Sequence, residues 1–97
     1  MSGEQVPQAL RLRYLASLPG KADEFERALA DALAASPPHW SGLRALAHKL
    51  AGSAGMYGYD QLGDRARDLV HEIDTRSGSP ESLSTQTRAL VAALRAT

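Results

Sequence analysis

The 97-residue sequence predicts an all-α fold, an up-down four-helix bundle with an N-terminal helical extension. Ala (17 residues) and Leu (14 residues) dominate the composition and favour helices, whereas the β-branched and aromatic residues that favour strands are scarce. Apolar residues recur at intervals of three and four, which places them along one face of a helix. The breaks between these stripes are short, so we expect successive helices to run antiparallel.

The first two helical segments are predicted at about residues 7–18 and 20–35. Both carry an apolar stripe, which includes Leu18 in the first segment and Phe25 in the second. Pro19-Gly20 interrupts the pattern, since Pro lacks a backbone N–H and Gly is a poor helix former. The break is short, so the two segments are either one kinked helix or two helices.

Three further segments are predicted at about residues 38–54, 59–76 and 80–95, all in one domain that spans residues 1–97. Ser79 and Pro80 form a good start signal for the last one, because a Ser oxygen caps helical N–H groups and Pro fits the first turn. The three apolar stripes are Leu43, Leu46, Ala47, Leu50 and Ala54, then Leu62, Ala66, Leu69 and Ile73, then Leu83, Thr87, Leu90 and Leu94.

The charge and composition exclude several classes of function. Eleven basic residues balance eleven acidic ones, and each half of the chain is close to neutral, which argues against a nucleic-acid partner. The absence of Cys excludes disulfides and thiolate metal sites. No apolar run has the length of a membrane span, and residues 1–6 lack the basic and apolar regions of a signal peptide. We therefore expect a cytoplasmic protein without a membrane partner.

The face of the third segment opposite its apolar stripe is unusually bare. Stepping from Arg44 by three and four residues gives His48, Ala51, Gly52 and Gly55. Gly inside a helix costs about 1 kcal/mol relative to Ala, and no packing reason for Gly52 is visible in the sequence. The simplest explanation is access, because small residues beside His48 let a partner approach the imidazole closely.

A single exposed imidazole suits phosphoryl transfer better than a catalytic triad. No Ser, Cys or second His lies at helical spacing from His48. Phosphoryl transfer needs a positioned nucleophile and cations that offset the charge of the moving group. One His on an open helix would suffice if a partner supplied the metal and the second nucleophile.

The segment from Ala47 to Gly58 (AHKLAGSAGMYG) resembles the signature of histidine phosphotransfer (HPt) domains, H-x-L-K-G-S-[SA]-x-x-hydrophobic-G. The resemblance implies a four-helix bundle without kinase activity or a cofactor of its own. It implies that His48 accepts a phosphoryl group from the aspartyl phosphate of a response-regulator receiver domain and passes it to another receiver. The partners would be receiver domains, hybrid histidine kinases or both, with magnesium on the receiver. We expect a monomer.

The main departure from the signature is Ala51, which stands where the family has Lys. A cation one turn beyond the imidazole would help to hold the phosphoryl group. Arg44, Lys49 and Arg65 are the candidate replacements, and Arg44 is preferred because it lies one turn before His48 on the same face. Gly52 and Gly55 are expected to leave room for the receiver.

Alternative interpretations remain open at this stage. Ala51 also fits a degenerate bundle that docks a receiver or kinase without being phosphorylated. A helix-turn-helix DNA-binding domain is weaker, because its recognition helix would carry acidic residues. His71 begins a segment that resembles the phosphoacceptor box of sensor kinases, but Asp74 replaces the basic residue of that box. The spacing of His39, His48 and His71 does not favour a metal site.

Overall fold

A computed structural model describes residues 6–97 and places four α-helices in one bundle. They are α1 (Gln8–Ala34), α2 (Ser41–Ala54), α3 (Asp60–Thr75) and α4 (Pro80–Ala96), and a single 3-10 turn (Gly55–Tyr57) follows α2. Each helix contacts the next one along the chain, and α4 closes the ring against α1. The described residues contain no strand. The predicted all-α up-down bundle is confirmed.

The core is formed mainly by side chains of the predicted apolar stripes, which pack against one another in the centre of the bundle. Leu18, Leu43 and Leu69 have almost no accessible surface, and they come from three different helices. Thr87 on α4 is also buried, and its hydroxyl donates to the Leu83 carbonyl oxygen, so no polar group is left unsatisfied there. The other fully buried large side chains are Phe25, Leu90 and Leu94.

The structure corrects the division of the N-terminal region into segments 7–18 and 20–35, because α1 is one continuous helix through Pro19. Leu18 and Ala22 are both fully buried, and Pro19 lies between them on the exposed side. The free energy gained by burying Leu18 and Ala22 therefore exceeds the cost of the backbone hydrogen bond that Pro19 cannot donate. At about 1.5 Å per residue, the 27 residues of α1 account for most of the 44 Å long dimension of the molecule.

Replacing Pro19 by Ala is expected to raise the free energy of unfolding by about 1 kcal/mol. The variant restores a backbone N–H and removes a ring that crowds the preceding turn, and this gain exceeds the entropy that Pro removes from the unfolded chain. Urea unfolding of both proteins measures the difference. A lower stability in Pro19→Ala would mean that Pro19 stabilises the bundle and does not weaken it.

The loop before α2 is longer than the sequence predicts, because α2 begins at Ser41 and not at residue 38. The His39 backbone N–H donates to the Ala32 carbonyl oxygen at 3.1 Å, which ties this loop to the end of α1. The other helix boundaries lie within one residue of the predicted ones, apart from the N-terminal break.

The turn between α2 and α3 is tight and depends on Gly58. Its φ of +89° lies in the left-handed region that favours glycine, and it ends the 3-10 turn. The next backbone N–H, of Tyr59, donates to the Ala54 carbonyl oxygen at 2.8 Å. The turn folds α3 back alongside α2, as a bundle requires and unlike the crossed helices of a helix-turn-helix.

The predicted start of α4 is confirmed. The Ser79 hydroxyl oxygen accepts from the Ser82 backbone N–H at 3.1 Å, and Pro80 occupies the first turn. Near the other end of α4, the Arg95 guanidinium donates to Glu26 and Asp23 on α1 at 2.7 Å and 2.8 Å. This exposed cluster connects the last helix to the first.

Acid is expected to weaken the Arg95 cluster. The hydrogen bond from Arg95 holds the pKa of Glu26 below its ordinary value of 4.5. A carboxylate with a lowered pKa stabilises the fold fully when the pH is above the ordinary pKa. This contribution to the free energy of unfolding is lost as the pH falls through the lowered pKa. Glu26→Gln should therefore be slightly less stable than wild type at about pH 7, and the difference should be smaller at about pH 3.

Urea unfolding at the two pH values measures this difference between Glu26→Gln and wild type. Glu24→Gln is the matched control, because Glu24 is exposed on the same helix and makes no ion pair among residues 6–97. A difference between Glu26→Gln and wild type that persists in acid would show that packing, and not charge, is responsible.

Candidate functional site

His48 lies in the middle of α2 with an exposed side chain. The helix beneath it is fixed from the other side, because Leu43, Ala47, Leu50 and Ala54 are all buried in the core. These residues leave the imidazole on a rigid convex surface in contact with water. The site can therefore be reached by a large partner as easily as by a small molecule.

Gly52, one turn beyond His48, faces open space. A Cβ atom added there would meet no heavy atom within 4 Å, so nothing in the described fold requires a glycine. Gly55 differs, since it is half-buried at the start of the 3-10 turn and its Cβ would lie 3.8 Å from an Asp60 carboxylate oxygen. Of the two glycines predicted to give access, Gly52 is the one that faces open space.

Ala51 occupies the position of the missing Lys and is half-buried against the core. Its carbonyl oxygen would lie 3.7 Å from a Cβ added to Gly63 on α3. The absence of a side chain at Gly63 therefore lets α3 approach the backbone of α2 closely near the turn.

Arg44 lies one turn before His48 and is bound to Asp74 on α3. Its Nε and Nη2 atoms donate to the two carboxylate oxygens at 2.5 Å and 2.9 Å, the bidentate geometry of a strong charge-assisted pair. The pKa of Asp74 is lowered, mainly by the hydrogen bond from Arg44, and the charges of His71 and His48 act in the same direction. Asp74 is thus within electrostatic reach of His48.

Asp74 was not predicted as part of the site. In the sequence, Asp74 belongs to the segment from His71 that resembles the phosphoacceptor box of sensor kinases. There it is notable only because it replaces the basic residue of that box. The useful signal was the antiparallel course of α2 and α3, which brings the end of α3 toward the start of α2. A carboxylate on that part of α3 can then reach a long side chain such as Arg44.

Lys49 and Arg65, the other two candidate cations, lie in separate grooves. Lys49 lines a groove between α1 and α2 together with Tyr14 and Lys21. Arg65 lines a groove between α3 and α4 together with His71 and other polar residues. His48 lines neither groove. Arg44 is linked to the surroundings of His48 through Asp74, since both Arg44 and His48 lower the pKa of that carboxylate.

A cluster of three tyrosines fixes the turn that follows the His48 helix. The Tyr14 ring stacks on Tyr57 with a centroid distance of 4.2 Å and on Tyr59 at 5.9 Å. Its hydroxyl is 2.8 Å from the Ser53 hydroxyl, and burial raises the pKa of the phenol despite this hydrogen bond. The two tyrosines of the turn are thus engaged with α1, whereas the neighbouring Met56 is 52% exposed.

The described residues offer no grouping of three or more His, Asp or Glu side chains suited to a metal ion. His39 lies in the loop before α2, His48 lies on α2 and His71 lies on α3. None of the helices in residues 6–97 combines the length and hydrophobicity that a membrane span needs.

The model of the family described as "Hpt domain" matches residues 9–97, which is nearly the whole chain. No curated protein and no solved structure matches. The bundle and the signature around His48 agree with the family match, and the chain belongs to the Hpt domain family.

Proposed function

We propose that this protein carries a phosphoryl group on His48 between receiver-domain aspartates of a two-component phosphorelay. Hpt domains act in histidine phosphotransfer and interact with receiver domains and histidine kinases. The observation that carries the assignment to His48 is its exposed place on a rigid helix beside the open surface of Gly52. The transfer surface would be centred on these two residues, with the exposed Met56 as an apolar contact.

The transfer step requires only one nucleophile from this chain. A lone pair on an imidazole nitrogen of His48 forms the N–P bond, while the P–O bond to the receiver aspartate breaks and its electrons remain on the carboxylate. The imidazolium that results releases the proton of its other nitrogen to water. Magnesium on the receiver would offset charge on the phosphoryl group, and Arg44 would supply a second cation. The chain acts as a carrier in this scheme, and the reverse step returns it to its starting state.

Transfer from loaded receivers tests the proposal. Purified receiver domains are phosphorylated at their aspartate with radiolabelled acetyl phosphate and magnesium, separated from the donor, and mixed with this protein. We expect label on this chain that is labile in acid and stable in base, as phosphohistidine is. Failure of every receiver in a broad panel to transfer label, while the protein binds one of them, would favour a docking role without phosphorylation.

A further inference from the structure

The ion pair between Arg44 and Asp74 is the only side-chain ion pair between α2 and α3 among the described residues. Both carboxylate oxygens are engaged by one guanidinium, so the pair has a defined geometry and no net charge. The side chains remain 41% and 44% exposed, respectively. An exposed pair adds little to stability, because water solvates both groups well when they separate. Its place beside His48 therefore suggests a role other than holding the helices together.

Arg44 and His48 are four residues apart on the same face of α2, and the charge of His48 also acts to lower the pKa of Asp74. Side chains on a helix lean toward its N-terminus, so the imidazole of His48 leans over the turn that carries Arg44. Residues four apart on a helix have Cβ atoms about 5–6 Å from each other, which is well within the reach of an Arg side chain. A phosphoryl group on His48 would thus enter the surroundings of Arg44 and Asp74.

We propose that Asp74 competes with the phosphoryl group of phospho-His48 for Arg44 and so keeps the phosphorylated state high in energy. This inference rests on the proposed function of His48. In the unphosphorylated protein, Arg44 is neutralised by Asp74. After transfer, the guanidinium leaves the carboxylate and donates to phosphoryl oxygens. Asp74 is a positioning residue in this scheme, because it acts through Arg44.

Charge explains the direction of the effect. A phosphoryl group carries about two negative charges near neutral pH, so it attracts a guanidinium more strongly than a single carboxylate does. The free energy gained when Arg44 binds the phosphoryl group is reduced by the free energy of the ion pair with Asp74, which is lost at the same time. Without Asp74, Arg44 would be free to stabilise phospho-His48 from the start. A carrier benefits from the higher energy, because its phosphoryl group then passes readily to the next aspartate.

The Asp74→Asn variant tests the proposal through the equilibrium with a loaded receiver. We expect the equilibrium constant to shift toward phospho-His48 by about two- to fivefold at low salt, and by less at about 1 M salt, where exposed charges are screened. Asp64→Asn is the matched control, because Asp64 forms an exposed ion pair with Arg67 on the same helix. This control should leave the equilibrium as in wild type.

The Arg44→Gln variant separates an effect through Arg44 from direct repulsion by Asp74. Arg44→Gln alone should shift the equilibrium away from phospho-His48. When Asp74→Asn is added to Arg44→Gln, the equilibrium should change little further. A full Asp74→Asn effect in the Arg44→Gln background would overturn the proposal. An unchanged equilibrium in Asp74→Asn, with wild type still labelled, would also overturn it while leaving the proposed function intact.

A spectroscopic measurement provides a readout that a merely structural role would not change. The Nε–H resonance of Arg44 should move when the protein is phosphorylated with phosphoramidate, and should not move in a His48→Gln protein treated in the same way. In Asp74→Asn, the resonance should be displaced before phosphorylation. If phosphorylated wild type keeps its Arg44 resonance unchanged, Arg44 does not change partner. If wild type takes label neither from phosphoramidate nor from receivers, the proposed function fails and this inference fails with it.

Discussion

The His48→Gln variant is expected to take no label from any loaded receiver. Gln has no nucleophilic nitrogen, because the lone pair of its amide nitrogen is delocalised onto the carbonyl group, so the N–P bond cannot form. The fold should be unaffected, since His48 is exposed and Gln is a good helix former. Thermal unfolding of the variant checks that it remains folded, and the transfer assay measures the loss.

The other two histidines supply the controls for this experiment. His71→Gln and His39→Gln remove exposed imidazoles from α3 and from the loop before α2, and both should take label like wild type. Label that survives in His48→Gln and disappears in His71→Gln would transfer the assignment to His71. Such a result would also revive the phosphoacceptor box that the sequence pattern of α3 resembles.

Replacing Gly52 should raise the stability of the fold, and a large side chain there should slow phosphoryl transfer. The position is helical and open, so Gly52→Ala is expected to raise the free energy of unfolding by about 0.5–1 kcal/mol. Gly52→Gln should also be at least as stable as wild type, but its side chain would project into the space that a receiver needs. A displacement of about 1 Å between reacting groups can cost about 100-fold in rate, and we expect a loss of this size in transfer to Gly52→Gln.

Gly20→Gln is the matched control for the Gly52 series. Gly20 lies inside helix α1, is exposed, and also has no heavy atom within 4 Å of an added Cβ. Its replacement should change stability in the same direction and leave transfer at the wild-type rate. If Gly52→Gln accepts label as fast as wild type, the receiver does not approach over Gly52, and the access argument for the bare surface is wrong.

The sequence predicts the fold well because the same residues determine the local pattern and the core. The stripes of α2, α3 and α4 follow helical spacing, and their residues are buried, apart from Leu46 and Ile73, which are partly buried against the core. Continuity of the helix through Pro19-Gly20 is harder to predict. Both residues disfavour a helix locally, and the packing that offsets this cost involves other helices. Tyr14, Leu18 and Ala22 are in phase across the break, and that phase is the signal that favours one helix.

The candidate site could be predicted only in part, for a similar reason. His48 and Gly52 stand out because they lie close together on one helix and violate the usual composition of an exposed face. Asp74 is thirty residues from Arg44, and their pairing depends on how α2 and α3 are placed next to each other. Separation of Lys49 and Arg65 into different grooves likewise follows from helix packing. Spacing along one chain does not contain this information.

Helix α1 holds α2 at both of its ends. The His39 backbone bonds to Ala32 just before α2 begins, and Tyr14 contacts Ser53 in the last turn of α2 and Tyr57 just after it. The intervening residues of α2 are also buried against the core. Local opening of α2 would therefore break its contacts with α1 as well as its more extensive packing against α3. The backbone of His48 thus belongs to a helix that resists local opening, although its side chain is exposed to water.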